Sequence, residues 1–452
     1  MINATLTQLA DVLNAELIGE NTNICAVSTD TRQIEPGSLF IALCGERFDA
    51  HDFAYQAVDA GAGALLVSRR LNLPLPQLLV KDTRQALGIM GAWVHQQCQA
   101  ATLAITGSCG KTTVKEMVAS ILSAQGQVLF TAGNFNNDIG VPLTLLRSTP
   151  EDKFAVIELG ANHIGEIAYT TQLVKPSVAL VNNVAAAHLE GFGSLDGVKV
   201  AKGEIFQGLE PGQTAIINLD SQGGEHWNEV LADKVVKRFS VHNQQADYFA
   251  SDVHLNAEGK AQFCLHTPTE QAVVNLNLSG LHNVSNAVAA AALASEFGAS
   301  MSQIQQGLSQ VSNVKGRVEV LPLSHTLTLI DDSYNASVPA MKAAIDLLSH
   351  FDGERWLILG NMAELGDESL ALHRQVGEHA APFYFEHVLT FGHDAQVISE
   401  VCDGIHFSSH DEMITYIEQH LEHSERKHTL LIKGAHSAGM SRIAIALKEK
   451  FS

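Results

Sequence analysis

The chain has 452 residues, 46% of them hydrophobic and 17% charged, with a formal net charge of −21. That length suits about three domains of ~150 residues, and that balance allows sizeable cores while excluding wholesale disorder. The negative charge opposes nucleic acid and anionic membranes as partners, so any bound nucleotide must be met by local cations, backbone N–H groups or a metal ion.

The N-terminus, MINATLTQLADVLNAELIG, lacks a basic segment and is interrupted by Asp11, so it does not read as a secretory signal. No stretch is apolar for the ~18 residues a membrane span needs. Six scattered cysteines without a C-x-x-C pair predict reduced thiols in a cytoplasmic protein, rather than disulfides or a zinc site. SLFIALCG (38–45) and GALLVS (63–68) predict strands, with a short helix over 53–60 between them and another around 84–98. A first domain therefore spans 1–82.

From 102 onward strand, loop and helix alternate. TLAITG (102–107), FAVIEL (154–159), SVALVNN (177–183) and TAIINLD (214–220) predict strands, and Thr112–Ala124 a helix. This pattern predicts a mainly parallel sheet of the phosphate-loop type with helices on both faces. Residues 235–279 alternate more and predict a small antiparallel extension, followed by an alanine-rich helix over 283–298. The second domain is 83–313. The third, 314–452, contains TLTLIDD (326–332), RWLILG (355–360), HVLTFG (387–392) and HTLLIKG (428–434), a second doubly wound pattern of Rossmann-like type. The predicted class is thus α/β in three domains.

The sharpest motif is TGSCGKTT: Thr106, Gly107, Ser108, Cys109, Gly110, Lys111, Thr112 and Thr113. A strand ends, glycines fold the backbone tightly, and a helix begins, so N–H groups and the helix N-terminus can cradle phosphate. Lys111 would supply a charge for the β- and γ-phosphates, and Thr112 would hold Mg²⁺. The usual pattern needs glycine at 105, where this chain has Ile105, so the loop is a shortened variant. A glycine turn capping an ordinary helix is the plainer alternative.

Glu158 closes a buried-looking strand, where a carboxylate is costly unless paired or metal-bound. His188 follows the next strand, and open α/β sheets gather ligands at those carboxyl ends. Taken singly, His188 also reads as a surface loop residue. KVAKGEIF (199–206) reads as a solvated helix face carrying two lysines. His282 or Asn283 could cap the alanine-rich helix, with Asn286 one turn on. Arg317 could reach an interdomain nucleotide or lie idle on the surface.

In this order and spacing the motifs resemble the Mur ligase family over essentially the whole chain. STDTR (28–32), PGSLFIAL (36–43) and GERFDAHDF (45–53) resemble its uridine-nucleotide-binding domain. TGSCGKTT, NNDIGVPLTLL (136–146), VIELGANHIGEI (156–167) and AAAHLEGFGS (185–194) resemble its ATPase domain, and DDSYNAS (331–337) and LGNMAELG (359–366) its C-terminal domain.

The resemblance implies a monomeric ATP-dependent amide ligase of peptidoglycan precursor synthesis that works through an acyl phosphate. Its C-terminal motifs favour addition of D-alanyl-D-alanine to UDP-N-acetylmuramoyl-tripeptide over addition of a diamino acid. By resemblance, ATP is bound by residues 106–113 with Asn137, His282, Asn283, Asn286, Arg317 and Asp332. Mg²⁺ falls to Thr112, Glu158, His188 and a carbamylated Lys202, which replaces the solvated-face reading of that lysine. Lys111, Lys202, His188 and Glu158 form the catalytic group. The precursor would meet Ser28, Asp30, Arg32, Arg47, Phe48, Asp49 and His51, and the third domain would offer Tyr334 and Asn335. Where the family usually shows DDSYNANP, LGDMAELG and KGSR or KGSH, this chain has Ser337-Val338, Asn361 and KGAHS. A folylpolyglutamate-synthase-like ligase and a noncatalytic phosphate-loop switch are the rival readings.

Overall fold

The computed structural model describes residues 3–45, 48–312, 315–422 and 424–451. Arg47 lies outside them, as does the 313/314 boundary. The first unit opens on the helix Leu6–Leu13, started by a capping box between Thr5 and Gln8. Behind it lies a five-stranded sheet ordered Glu16–Ile18, Gln77–Leu79, Ala64–Val67, Leu39–Ile41 and Val27–Ser28, parallel except at the Glu16–Ile18 edge. Both expected strands and the short helix Ala54–Asp59 are present.

The helix Thr83–Cys98 starts at Asp82, whose carboxylate accepts from the N–H groups of Arg84 and Gln85. Its large apolar residues Leu87, Met90 and Val94 share a core with Leu6, Leu9 and Leu13. Its small residues turn the other way: a Cβ on Gly91 would sit 2.8 Å from the Pro142 carbonyl, and one on Gly88 would strike Tyr169. Buried His95 completes the join, bonding the hydroxyls of Ser148 at 2.7 Å and Thr102 at 2.9 Å. The helix therefore belongs to the cores of both units.

The central sheet has nine strands, with Ala101–Thr106 between Asp152–Glu158 and Val178–Val181. All three are parallel, so their carboxyl ends open on one edge. Ile105 is fully buried in this sheet, opposite Glu158 and Leu180. A side chain is needed there, which is why the loop begins only at Gly107. The edge strand Gln127–Phe130, too short and mixed for its pattern to stand out, adds to the expected set.

Residues 235–279 correct the expected antiparallel extension in part. Val235–Ser240 continues the parallel sheet, and Tyr248–Leu255 joins it in parallel over Phe239–Tyr248 and Ser240–Phe249. Only Lys260–His266 runs against the rest, pairing antiparallel with Tyr248–Leu255 and with Gln271–Ser279. Period-two alternation reports a half-exposed strand but not its direction. The helix His282–Glu296 packs here, with every residue from Ala287 to Ala294 fully buried.

The third unit is a six-stranded sheet ordered Glu319–Pro322, Leu327–Asp332, His428–Lys433, Glu354–Gly360, His387–Phe391 and Ile405–Phe407, antiparallel only at the first pair. Insertion of the last long strand between two earlier ones brings Asp332, Lys433 and the loop after Gly360 to one edge. No helix among the described residues is long and apolar enough to cross a membrane.

Gly307, in the helix Met301–Gln310, lets that helix touch the backbone of Lys111–Leu122; a Cβ there would lie 2.6 Å from Ile121 Cα. Gly307→Ala gains ~1 kcal/mol of helix propensity but incurs ~1–3 kcal/mol of overpacking. The expected outcome in thermal unfolding followed by circular dichroism is a lowered midpoint; a raised one would show that the two helices can separate freely.

Candidate functional site

The loop after Ala101–Thr106 turns through two glycines of positive φ, Gly107 at +154° and Gly110 at +77°. A Cβ on Gly110 would collide with Asn286 and lie 2.7 Å from Asn182 Nδ2. The neighbouring strand end braces the loop: Cys109 N–H donates to Asn183 Oδ1 at 2.8 Å, and the side chains of Asn182 and Asn183 donate to the Cys109 carbonyl. Ser108 exchanges hydrogen bonds with the backbone of Ala185. Sequence reading missed both asparagines, whose only signal was their place after a strand next to the loop. Gly110 precedes the helix Lys111–Leu122 without a side-chain cap, leaving first-turn N–H groups free for a ligand.

Lys111 bends back to donate to the Gly107 carbonyl at 2.8 Å. Burial lowers its pKa, and Glu158 opposes that shift. Thr112 donates to Glu158 Oε2 at 2.9 Å, while Asn136 donates to Glu158 Oε1 at 2.8 Å. Glu158 is thus buried but held at both oxygens, as the cost of burying a carboxylate requires. Asn137, the expected nucleotide contact, accepts from Gly140 N–H at 2.8 Å at the start of the helix Gly140–Leu146; its neighbour Asn136 is the one that reaches Glu158.

His188 adopts a left-handed backbone, φ +54°, ahead of the short helix Leu189–Phe192. Burial lowers its pKa, Lys111 and Lys202 press it further down, and Glu364 opposes them. Lys202 is 1% exposed, which overturns the solvated-face reading. Helix amphipathicity could not reveal this, because the covering groups come from elsewhere in the chain. Among the described residues no carboxylate pairs with its ammonium group; Phe192 lies under it, ring centroid 5.3 Å away. Burial, reinforced by Lys111, pushes the Lys202 pKa down to about 7.

Across the loop, Asn182 donates to Asn286 at 3.0 Å, Asn286 to Asn283 at 2.9 Å, and Asn283 to the Ser279 carbonyl at 2.7 Å. Neither His282 nor Asn283 caps its helix, so that reading is set aside. His282 Nδ1 is buried without a hydrogen-bond partner, and burial takes its pKa down to about 4, leaving the ring neutral. Thr113, His282, Asn283 and Arg317 line one small pocket together with Glu116 and Val318. A roomier surface cleft, between Gly19 and Pro76, contains none of the expected site residues.

Arg317 lies over the Tyr334 ring, 4.4 Å from its centroid. Asp332 pairs with Lys433 at 2.6 Å and accepts from Val318 N–H at 3.2 Å. Burial raises its pKa, and Lys433 opposes that. Lys433 also donates to the Asn335 carbonyl at 2.9 Å. Cys109 Sγ lies 3.1 Å from Ser337 Oγ, so the third unit touches the loop itself.

The first unit keeps its expected residues apart from this cluster. Arg32 pairs with Asp30 at 2.7 Å, and its hydrogen bonds hold that carboxyl at about 2; Ser28 Oγ donates to the Asp30 carbonyl. His51 Nε2 accepts from Ser68 N–H at 2.8 Å, which leaves the proton on Nδ1 to donate to Asp49. Hydrogen bonds from His51 and Arg69 outweigh burial and keep Asp49 well below the usual carboxylate range. Phe48 stands 62% exposed beside them.

Three family models together match residues 23–294 and 316–436. Residues 105–294 match the Mur ligase middle domain, 316–436 the Mur ligase glutamate ligase domain, and 23–107 the Mur ligase family catalytic domain. The UDP-N-acetylmuramoyl-tripeptide–D-alanyl-D-alanine ligase of Escherichia coli is 52% identical over 99% of both chains, and that of Bacillus subtilis 35% over 88% of both. The crystal structure of MurF from Acinetobacter baumannii superposes with a TM-score of 0.94 at 36% identity over 99% of both chains. MurF from Thermotoga maritima in complex with ADP gives 0.84 at 25% identity, covering 94% of this chain and 97% of that one.

Between pH 7 and 10.5 the unfolded chain keeps a proton on Lys202 that the folded protein has lost, so this group's contribution to stability rises with pH. Lys202→Met is therefore expected to be more stable near pH 7, by on the order of a few kcal/mol. The gain should shrink toward pH 10 in carbon dioxide-free buffer. Unfolding midpoints of both proteins across that range check it; a constant difference would contradict the shifted pKa.

Proposed function

The chain belongs to the Mur ligase family, and on that premise we propose that it joins D-alanyl-D-alanine to UDP-N-acetylmuramoyl-tripeptide with conversion of ATP to ADP and phosphate. The observation that carries the reading is the cluster of Lys111, Thr112, Glu158 and unpaired Lys202 around one glycine turn. The reaction belongs to cytoplasmic peptidoglycan precursor synthesis. Residues 1–82 receive the uridine nucleotide through Ser28, Asp30, Arg32, Arg47, Phe48, Asp49 and His51. Residues 83–313 hold ATP, and 314–452 the dipeptide near Tyr334 and Asn335. All of these residues lie on one chain, which supports a monomer as the working unit.

The tripeptide carboxylate attacks the γ-phosphorus of ATP, ADP departs, and an acyl phosphate forms. The dipeptide amine then attacks the acyl carbon and phosphate leaves. A carboxylate approaching a triphosphate is repelled, and here Lys111 and Arg317 reduce that repulsion. The turn at 106–113 offers backbone N–H groups to the phosphates. His282, neutral and with an unpartnered ring nitrogen, and Asn283 suit the uncharged polar edge of adenine; Asn286 holds Asn283 in place, and Asp332 faces the ribose.

The donor set fits a hard divalent cation only if Lys202 becomes anionic. A lysine with a pKa about 7 exposes a free amine that can add carbon dioxide and release one proton, giving a carbamate. Thr112, Glu158, His188 and carbamylated Lys202 would then hold Mg²⁺, which supplies charge neutralisation at the phosphates when bound.

Phosphate release is measured with ATP, Mg²⁺ and UDP-N-acetylmuramoyl-tripeptide, with and without D-alanyl-D-alanine. Release that needs both substrates, with a UDP-linked pentapeptide in the mass spectrum, is expected; stimulation by a diamino acid instead would reassign the acceptor. Lys111→Ala should abolish turnover. Lys202→Ala should lose most activity and recover part of it with a small added carboxylate, and near-normal turnover would remove Lys202 from the mechanism.

A further inference from the structure

Glu364 stands on the loop after the strand Glu354–Gly360, and its carboxylate meets Nδ1 of His188 in the central unit. A second bond locks the same junction: Glu190 N–H donates to the Glu364 carbonyl at 3.1 Å. Both His188, φ +54°, and Glu364, φ +59°, are in the left-handed region that residues with a Cβ seldom occupy. Two strained residues facing each other across one boundary indicate that the contact selects the conformation.

The loop that presents Glu364 is firmly held. Met362 N–H donates to buried His373 at 2.9 Å, and Asn361 Oδ1 accepts from Ala395 N–H at 2.8 Å. Met362 and Leu365 are buried in the same apolar cluster as Leu189 and Phe192 of the central unit. The His188 ring stands edge-on to Phe192, with centroids 6.3 Å apart, and Phe192 also carries Lys202. The Glu364 contact is therefore one ring away from the buried lysine.

A neutral imidazole bears one N–H and one lone pair, and whatever accepts from Nδ1–H leaves Nε2 free to coordinate. We propose that Glu364 is a positioning residue: by accepting from His188 Nδ1 it fixes the ring with Nε2 directed to the divalent cation, so that seating of the C-terminal unit completes the cation site of the central unit. Cation binding and unit seating then strengthen each other reciprocally. This rests on the cation-site reading above.

The full chain is titrated with Mn²⁺ in the presence of ADP, with free ion followed by electron paramagnetic resonance. Glu364→Ala is expected to weaken Mn²⁺ binding at least about tenfold, as loss of a ligand-orienting group does. Glu364→Gln, whose amide oxygen still accepts, should stay within about threefold. In turnover the Ala variant should raise KM for Mg²⁺ while leaving KM for the dipeptide unchanged, and melting temperatures verify folding of both. Mn²⁺ affinity equal to wild type in Glu364→Ala would overturn the proposal, as would a Gln variant no better than Ala. Glu158→Gln separates the two readings: if it also binds Mn²⁺ like wild type, the cation site itself is misplaced.

Discussion

The site depends on how closely the turn at 107–110 approaches the strand end beside it. Asn182 and Asn183 hydrogen-bond Cys109 in that turn, Asn286 backs Asn182, and a single Cβ at position 110 would collide with Asn182 and Asn286. Because the strand before the turn lies between two parallel neighbours, Glu158 on one side and the asparagines on the other arrive at the same edge. Thr112, one residue into the helix, then falls beside Glu158 with no further adjustment. The proximity of these groups is a consequence of sheet order rather than of any one contact.

Charge is distributed unevenly for a protein with net charge −21. Lys433 is matched to Asp332, and Arg317 rests on an aromatic face. Lys111 and Lys202 are different: burial depresses both, Lys111 depresses Lys202 further, and neither finds a carboxylate at ion-pair distance among the described residues. An anion at this point would offset the repulsion that Lys111 exerts on Lys202, as the proposed polyphosphate ligand requires.

The chain itself made the phosphate loop legible, since glycine, lysine and threonine after an apolar run have few other uses. Glu158 was legible from a carboxylate closing a β-rich stretch. Lys202 was legible only through the family resemblance, because its helix carries charges at ordinary surface spacing and its cover is supplied from other elements. That Asn136 reaches Glu158 while Asn137 turns to Gly140 depends on loop geometry that no periodicity records. Short edge strands such as Gln127–Phe130 and Ile405–Phe407 carry too few residues for a pattern. The partnership of His188 with Glu364 spans 176 positions and two sheets, and no local rule reaches that far.

The helix Thr83–Cys98 has both its faces occupied, one by the large side chains of the first unit and one by the close approach of Pro142 and Tyr169. An element shared in this way cannot swivel, and neither neighbour can lose its fold without uncovering the other. The first two units should therefore denature as one cooperative block despite having separate sheets. Cutting the chain at residue 82 would not release two soluble pieces, but would leave an apolar helix face bare on one of them.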